Sequence, residues 1–399
     1  MLIGLIKERK DPPDKRVALT PTQCAMAMEE FPDLKIIVES SAIRIFPDQA
    51  YMELGVEVVN DISNADILIG VKEVPIDALI PNKKYLFFSH TLKAQPYNRE
   101  LLCSILEKDI QLVDHETLVY SSGSRVLGFG RYAGIVGAYN GFYAWGERTG
   151  AFTLKRAFEC ADLKALQNEL NNIVLPESMN ILLTGNGKVA HGVMEILDHA
   201  GIEKVDPDRY LNNEQNARVY TQLGIEDYNI PPAGKAWNKA DFYDDPSEYS
   251  SGLKPFLEKS NMYISGHYWD NRAPQLITAN DLKNGALELQ VVADISCDIV
   301  EPIACTIRPS TIENPIYGYH RAEQKECDLK DPNAIVVMAV DNLPCELPKD
   351  ASEGFGEMLL SEVLPELIKE NSEMINRSSM TKNGALTENF EYLQDYVNG

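Results

Sequence analysis

Paired-cysteine spacing is missing from this chain: its seven cysteines, Cys24, Cys103, Cys160, Cys297, Cys305, Cys327 and Cys345, are odd in number and no two form CxxC. Neither a disulfide framework nor a zinc site is indicated, so reduced thiols, no metal and a cytoplasmic location are expected. Basic charge is scarce as well. Lys and Arg total 37 against 60 Asp and Glu, a formal charge of −23. A nucleic-acid partner is therefore not expected, because such proteins cluster cations to displace counterions. Small anionic ligands stay open, since a few buried arginines set a local field against the global one. No run of about 18 apolar residues occurs, so no membrane span or membrane partner is expected. The apolar Met1-Leu2-Ile3-Gly4-Leu5-Ile6 is too short for a signal peptide core, and its charges, Lys7 to Lys10, follow rather than precede it. Internal repeats and low-complexity segments are absent too.

What is present is an ordinary globular composition, 44% hydrophobic and 24% charged over 399 residues, enough for two domains. Short apolar runs alternate with amphipathic segments. Strands are expected at Leu2 to Ile6, Leu34 to Glu39, Ile67 to Val71, Tyr85 to Ser89 and Ile110 to Asp114, with helices at Pro21 to Phe31 and Asn98 to Lys108. This is the pattern of an α/β protein with mostly parallel sheets. Gly130 to Trp145 interleaves small and aromatic residues, which predicts a helix packed closely on another element. Further strands are expected at Met179 to Thr184, Met262 to Ser265, Leu289 to Asp294 and Ala334 to Val340, with a helix from Val189 to Ala200. Pro207 to Pro255, rich in Asn, Asp, Tyr and Pro, reads as an irregular insertion. Asp350 or Ser352 is placed to cap a helix reaching Ile368 and returning the chain to its first domain. The division expected is residues 1–135 completed by 346–399, with 136–345 as the second domain.

Gly185-Asn186-Gly187-Lys188-Val189-Ala190 fits G-x-G-x-x-A between a strand and a helix. Gly185 would allow the tight turn and Gly187 the approach of a pyrophosphate, whose charge the helix N–H groups and dipole would stabilise. Asp206 stands about 20 residues beyond the loop, where a carboxylate would accept ribose hydroxyls; a solvated turn residue is the alternative. Arg209 and Arg218 keep an NADP phosphate open, so the cofactor is NAD or NADP. Asp294 and Asp341 follow strands on the edge where an open sheet binds ligand, with turn capping as the other reading. In the first half, Lys72 and His90 end two apolar runs and form a candidate acid/base pair, with Glu73 and Glu116 placed to tune them. His115 is a competing candidate. Arg16 and Arg125 are candidate clamps for substrate carboxylates, because guanidinium pairs bidentately with planar anions.

Gly70-Val71-Lys72-Glu73, Phe87 to Gln95, Arg125 to Gly130 and Ala339 to Pro344 together resemble the lysine-forming saccharopine dehydrogenases. The likeness is strongest to the lysine 2-oxoglutarate reductase domain of the bifunctional aminoadipic semialdehyde synthase. It spans nearly the whole chain. The opening Lys7-Glu8 with Arg16-Val17-Ala18-Leu19-Thr20-Pro21 is similar to the wider superfamily of alanine dehydrogenase and nicotinamide nucleotide transhydrogenase. The resemblance implies two Rossmann-like domains with an active-site cleft between them. By motif position it makes Lys72 and His90 the acid/base residues, Glu73 and Glu116 their modulators, and Arg16 and Arg125 the substrate arginines. Ser89-His90-Thr91 replaces the alanine enzyme's Leu-His-Leu, and that enzyme's glycine-rich stretch ahead of its cofactor strand is missing. The expected activity is NAD(P)-dependent interconversion of saccharopine with lysine and 2-oxoglutarate. An alanine-type dehydrogenase and a noncatalytic dinucleotide-binding regulator are the alternatives, and the oligomeric state is left open.

Overall fold

The computed structural model describes residues 1–212, 217–283 and 287–399, and the chain divides into two units, Met1–Phe129 with Pro348–Gly399, and Gly130–Leu347. The first is built on six strands: β1 (Leu2–Leu5), β2 (Lys35–Glu39), β3 (Glu57–Val59), β4 (Ile67–Ile69), β5 (Lys84–Phe87) and β6 (Gln111–Asp114). All pair in parallel, in the order β3-β2-β1-β4-β5-β6. Their runs, such as Ile36-Ile37-Val38 and Tyr85-Leu86-Phe87, are buried throughout, as parallel strands covered on both faces must be. Helices α1 (Pro21–Glu30), α2 (Asp48–Glu53) and α3 (Arg99–Glu107) connect them. Helix α1 opens with Thr20 and Gln23 in a reciprocal capping box and Pro21 in its first turn. The strand order reverses at β1, so the C-terminal ends of β1 and β4 lie side by side and open a crevice there.

Strands β4 and β5 each stop two residues earlier than their apolar runs predict. The ladder ends at Ile69 because the Val71 and Lys72 amides turn to the Glu8 carboxylate, at 2.7 and 2.8 Å. Strand β5 ends at Phe87 because the Ser89 amide turns to Asp114, at 2.8 Å. In both cases a buried carboxylate replaces a neighbouring strand as hydrogen-bond acceptor. The returning helix begins at Pro348 rather than at a cap on Asp350 or Ser352. Ser352 Oγ lies inside it, donating to Pro348 O and accepting from Val17 N. It runs to Met358, passes through a π-helical turn at Leu359–Val363 and ends at Ile368, with Pro365 next to the irregularity.

The second unit opens on α4 (Gly130–Thr149), continues through α5 (Leu163–Glu169) to β7 (Met179–Thr184), then α6 (Lys188–His199), β8 (Glu203–Lys204), α7 (Pro207–Leu211) and β9 (Arg218–Leu223). A small antiparallel pair, β10 (Asn229–Ile230) and β11 (Ser250–Ser251), precedes β12 (Met262–Ser265), β13 (Val291–Asp294), β14 (Ile316–His320), β15 (Lys325–Cys327) and β16 (Ala334–Met338). The main sheet has the order β15-β14-β16-β13-β12-β7-β9-β8, parallel except at β14 and β15. Helix α4 does pack closely. A Cβ on Gly134 would lie 1.9 Å from Val189 O, and one on Gly192 1.9 Å from Arg131 O, so α4 and α6 cross backbone to backbone. The segment expected to be an irregular insertion is not one throughout: Arg218–Leu223 enters the sheet beside β7 and separates it from β8. Residues 213–216 of that expectation lie outside the described residues. Among the described residues, no helix is long and apolar enough to cross a membrane.

Candidate functional site

At the crevice of the first unit, Glu8 follows β1 and grips two successive amides of the turn after β4, the second being that of Lys72. Glu8 is 8% exposed. Burial, then the charge of Asp14, push its carboxyl up to about 7 against the pull of the two amides and Arg16. The next residue, Glu73, meets His90 Nδ1 at 2.5 Å. His90 is brought there by register, since Phe88 N donates to Val71 O. It sits at φ 51°, a left-handed backbone held by Asn98, whose side-chain amide donates to Ser89 O and His90 O. Burial disfavours the Glu73 charge, but the His90 hydrogen bond and charge, with Lys10 at 3.3 Å, outweigh it and hold the carboxyl down at about 2. An ionised carboxylate only accepts, so Nδ1 carries a hydrogen and Nε2 is left to take or return a proton. Lys72 and His90 are thus set on adjacent strand ends, Lys72 by its backbone and His90 by its ring.

Arg16 is 2% exposed and forks onto the equally buried Asp14, Nε to Oδ1 at 3.0 Å and Nη2 to Oδ2 at 2.6 Å. Its guanidinium also lies 4.2 Å over the Phe129 ring. Phe129 neighbours Phe88, which stacks on His90, so one aromatic cluster joins Arg16 to the His90 ring. Arg125 differs: its side chain is 57% exposed and 3.4 Å from Glu116. His115 is fully buried against Phe88 and Phe355, with Nε2 donating to Gly70 O at 2.8 Å. Burial pushes it down to about 4, so it stays neutral and props the β4 end instead of exchanging protons. Glu8 and Asp114 went unnoticed in sequence. Asp114 gathers Ser89 N, Ser89 Oγ and Glu116 N, which positions the turn carrying His90. Only the charge of Glu8 beside an apolar strand end signalled it.

In the second unit, the glycine loop leads from β7 into α6 and borders a pocket of about 840 Å³. Gly185 adopts φ +105°, and a Cβ there would lie 2.4 Å from Gly266 O, so only glycine fits the turn. Gly187 caps α6 with nothing within 4 Å of a would-be Cβ, leaving open space over the helix N-terminus. Ala190, fully buried, packs beside Gly266. This cradle suits a phosphate-bearing dinucleotide, whose negative charge the helix end favours. Trp237, Tyr243, Tyr268 and Trp269 line the rest with flat apolar surface.

Asp206 is exposed and caps α7 through Arg209 N, and it is absent from the pocket lining. Strand β9 takes the place beside β7, so the carboxylate next to the loop is Glu226, which lines the pocket. Its carboxyl and the Asn186 amide both lie within 3 Å of a would-be Gly224 Cβ. Asp294 is buried and committed inside the fold, accepting from Ser265, Ser296, Cys297 and Thr306. Asp341 is exposed beyond β16. Neither lines this pocket.

Residues 4–136 match the family model described as alanine dehydrogenase/PNT, N-terminal domain. The α-aminoadipic semialdehyde synthase of Arabidopsis thaliana is 30% identical over 98% of this chain and 41% of its own length. The chain therefore spans less than half the length of that relative. The saccharopine dehydrogenase [NAD(+), L-lysine-forming] of Yarrowia lipolytica is 25% identical over 90% of each chain. Among solved structures, an L-alanine dehydrogenase is similar in fold, with TM-score 0.68, 17% identity and full coverage of both chains. Residues 4–136 thus resemble the N-terminal domain of the alanine dehydrogenase/PNT family, and the whole chain is similar in sequence to aminoadipic semialdehyde synthases and saccharopine dehydrogenases and in fold to an L-alanine dehydrogenase.

Proposed function

We propose that this chain is an NAD(P)-dependent oxidoreductase that interconverts saccharopine with lysine and 2-oxoglutarate. The observation that carries the reading is the Glu73–His90 pair at 2.5 Å beside Lys72, at the crevice where a parallel sheet binds ligand. In the forming direction the ε-ammonium of lysine must lose a proton before its nitrogen attacks the keto carbon. His90 Nε2 takes that proton, with Glu73 stabilising the imidazolium that results. Lys72 supplies a proton to the keto oxygen, which leaves as water when the carbinolamine collapses to the imine. Arg125 provides positive charge for a substrate carboxylate, and Arg16, whose charge Asp14 already offsets, serves a second one only by sharing its guanidinium. When bound, the nicotinamide supplies hydride to the imine carbon. The glycine loop and α6 would hold its pyrophosphate and Glu226 a ribose diol, which favours NAD over NADP.

The test is oxidation of NADH and of NADPH with lysine plus 2-oxoglutarate, and separately with pyruvate plus ammonia. Turnover confined to the first pair is the expected result. Turnover confined to the second would replace the substrate assignment, and none with either would refute the activity.

A further inference from the structure

His267 lines the glycine-loop pocket and is fixed by a hydrogen-bond chain that decides which of its nitrogens carries the hydrogen. Tyr263, fully buried, places its hydroxyl 2.9 Å from Thr184 Oγ1, and Thr184 Oγ1 lies 2.7 Å from His267 Nδ1. Among the described residues, Thr184 is the partner of both groups. A buried tyrosine hydroxyl has to donate. Tyr263 therefore donates to Thr184, Thr184 passes its own hydrogen to Nδ1, and the imidazole hydrogen is left on Nε2. Nε2 has no protein partner among the described residues, although His267 is only 8% exposed. Burial pushes this histidine down to about 4, against the opposing charge of Asp294, so the donor is a neutral N–H.

The residue also abuts the phosphate turn, because its backbone nitrogen lies 2.9 Å from a would-be Gly185 Cβ, and Tyr228 flanks its ring at 5.7 Å. We propose that His267 is a dinucleotide-binding residue whose preset Nε2–H donates to a pyrophosphate oxygen at the glycine loop. The inference rests on the dinucleotide reading of this pocket. It goes beyond that reading by adding a buried side-chain donor to the backbone of the glycine loop. A neutral donor strengthens the site without adding a charge that burial would have to desolvate.

The test is binding rather than turnover. NADH, ADP and adenosine are titrated by calorimetry against the unaltered chain, His267→Phe and His267→Gln. Phenylalanine fills the space without a donor and should weaken NADH and ADP by about tenfold to a hundredfold, leaving adenosine within about twofold. Glutamine, which can present an amide N–H near the Nε2 position, should recover most of the loss. Unchanged NADH and ADP binding in His267→Phe, or an equal loss for adenosine, would overturn the proposal while sparing the pocket. Failure of the unaltered chain to bind NADH, NADPH or ADP would overturn the pocket reading, and the proposal with it. Histidine ¹⁵N spectra of the unaltered chain give a second reading that needs no variant. They should show the Nε2–H tautomer at His267 and a downfield shift of that proton on adding ADP, and an Nδ1–H tautomer or an unmoved proton contradicts the assignment.

Discussion

Ionisation of Glu73 matters because it fixes the hydrogen on His90 and leaves one ring nitrogen to work. Replacing His90 by Gln removes the proton carrier and should lower kcat by roughly a hundredfold or more, with the matching limb of the pH-rate profile lost. Glu73→Gln should keep that limb but displace it toward lower pH, since the imidazolium loses its counter-charge; an unmoved profile in both variants would remove the pair from the chemistry. The arginines should separate by burial. Arg125 is exposed and weakly paired, so Arg125→Ala should leave unfolding by urea within about 0.5 kcal/mol while raising the KM for 2-oxoglutarate. Arg16→Ala strands a buried Asp14 carboxylate and should cost on the order of 3 kcal/mol of stability besides its kinetic effect. Equal stability losses in the two variants would contradict this division. Residue types and strand-end positions made these side chains legible in sequence. Their pairing was not, because alternation shows which side of a strand is apolar but not which neighbouring carboxylate a buried cation finds.

At the level of elements, two features decide whether the glycine loop can work. One is the α4–α6 crossing. Gly134→Ala puts a methyl group into Val189 O in the first turn of α6, and no flexible side chain is there to give way. The helix must shift, so a lower melting temperature, about 1 to 3 kcal/mol of lost stability and weaker NADH binding are expected together. Unchanged melting and binding would mean the crossing is looser than described. The other is strand order. Because β9 stands next to β7, Glu226 rather than Asp206 adjoins the loop. Glu226→Ser should raise the affinity ratio of NADPH to NADH by tenfold or more, as about 1.4 kcal/mol of charge repulsion is relieved, whereas Asp206→Ser should change it little. Titrations showing the reverse order would return the ribose to Asp206. The glycine motif could be read from local sequence, whereas the strand lying beside it depended on a segment too rich in Asn, Asp and Pro to look like a strand.

Across the whole molecule, buried carboxyls set the response to pH. Burial raises Glu8 to about 7, Asp114 to about 6 and Glu346 to about 7, Glu346 despite its hydrogen bond from Asn140. Between their unfolded values near 4 and these folded values, the folded chain keeps protons that the unfolded chain has released. Each of these carboxyls therefore makes stability fall as pH rises from about 4 to 7, against His115 and His267, whose lowered values make it rise between about 4 and 6.5. Glu73, held at about 2, acts in the opposite sense, adding stability above its unfolded value that is lost only as pH drops toward 2. Thermal melting from pH 4.5 to 8, compared between the unaltered chain and a carboxyl variant, separates the two contributions. Relative to the unaltered chain, Glu346→Gln should gain on the order of 3 kcal/mol between pH 4.5 and 8, since a neutral amide has no proton to lose. The same pH dependence in variant and unaltered chain would place the effect elsewhere.

The sequence by itself determined the parallel α/β architecture, the strand-to-helix glycine loop and the placing of Lys72 and His90 at strand ends. All of these follow from short-range periodicity and from the conformations that glycine alone tolerates. The tertiary structure decided the rest. It buried His115 beneath Phe88 and Phe355 while leaving His90 partly exposed beside Glu73, gave Arg16 to Asp14, put Glu226 beside the loop, and oriented His267 through Thr184 and Tyr263. Strand order, burial of a polar group and the direction of a hydrogen bond all depend on residues far apart in the chain. They are settled only when the sheet closes and each buried donor has to find an acceptor.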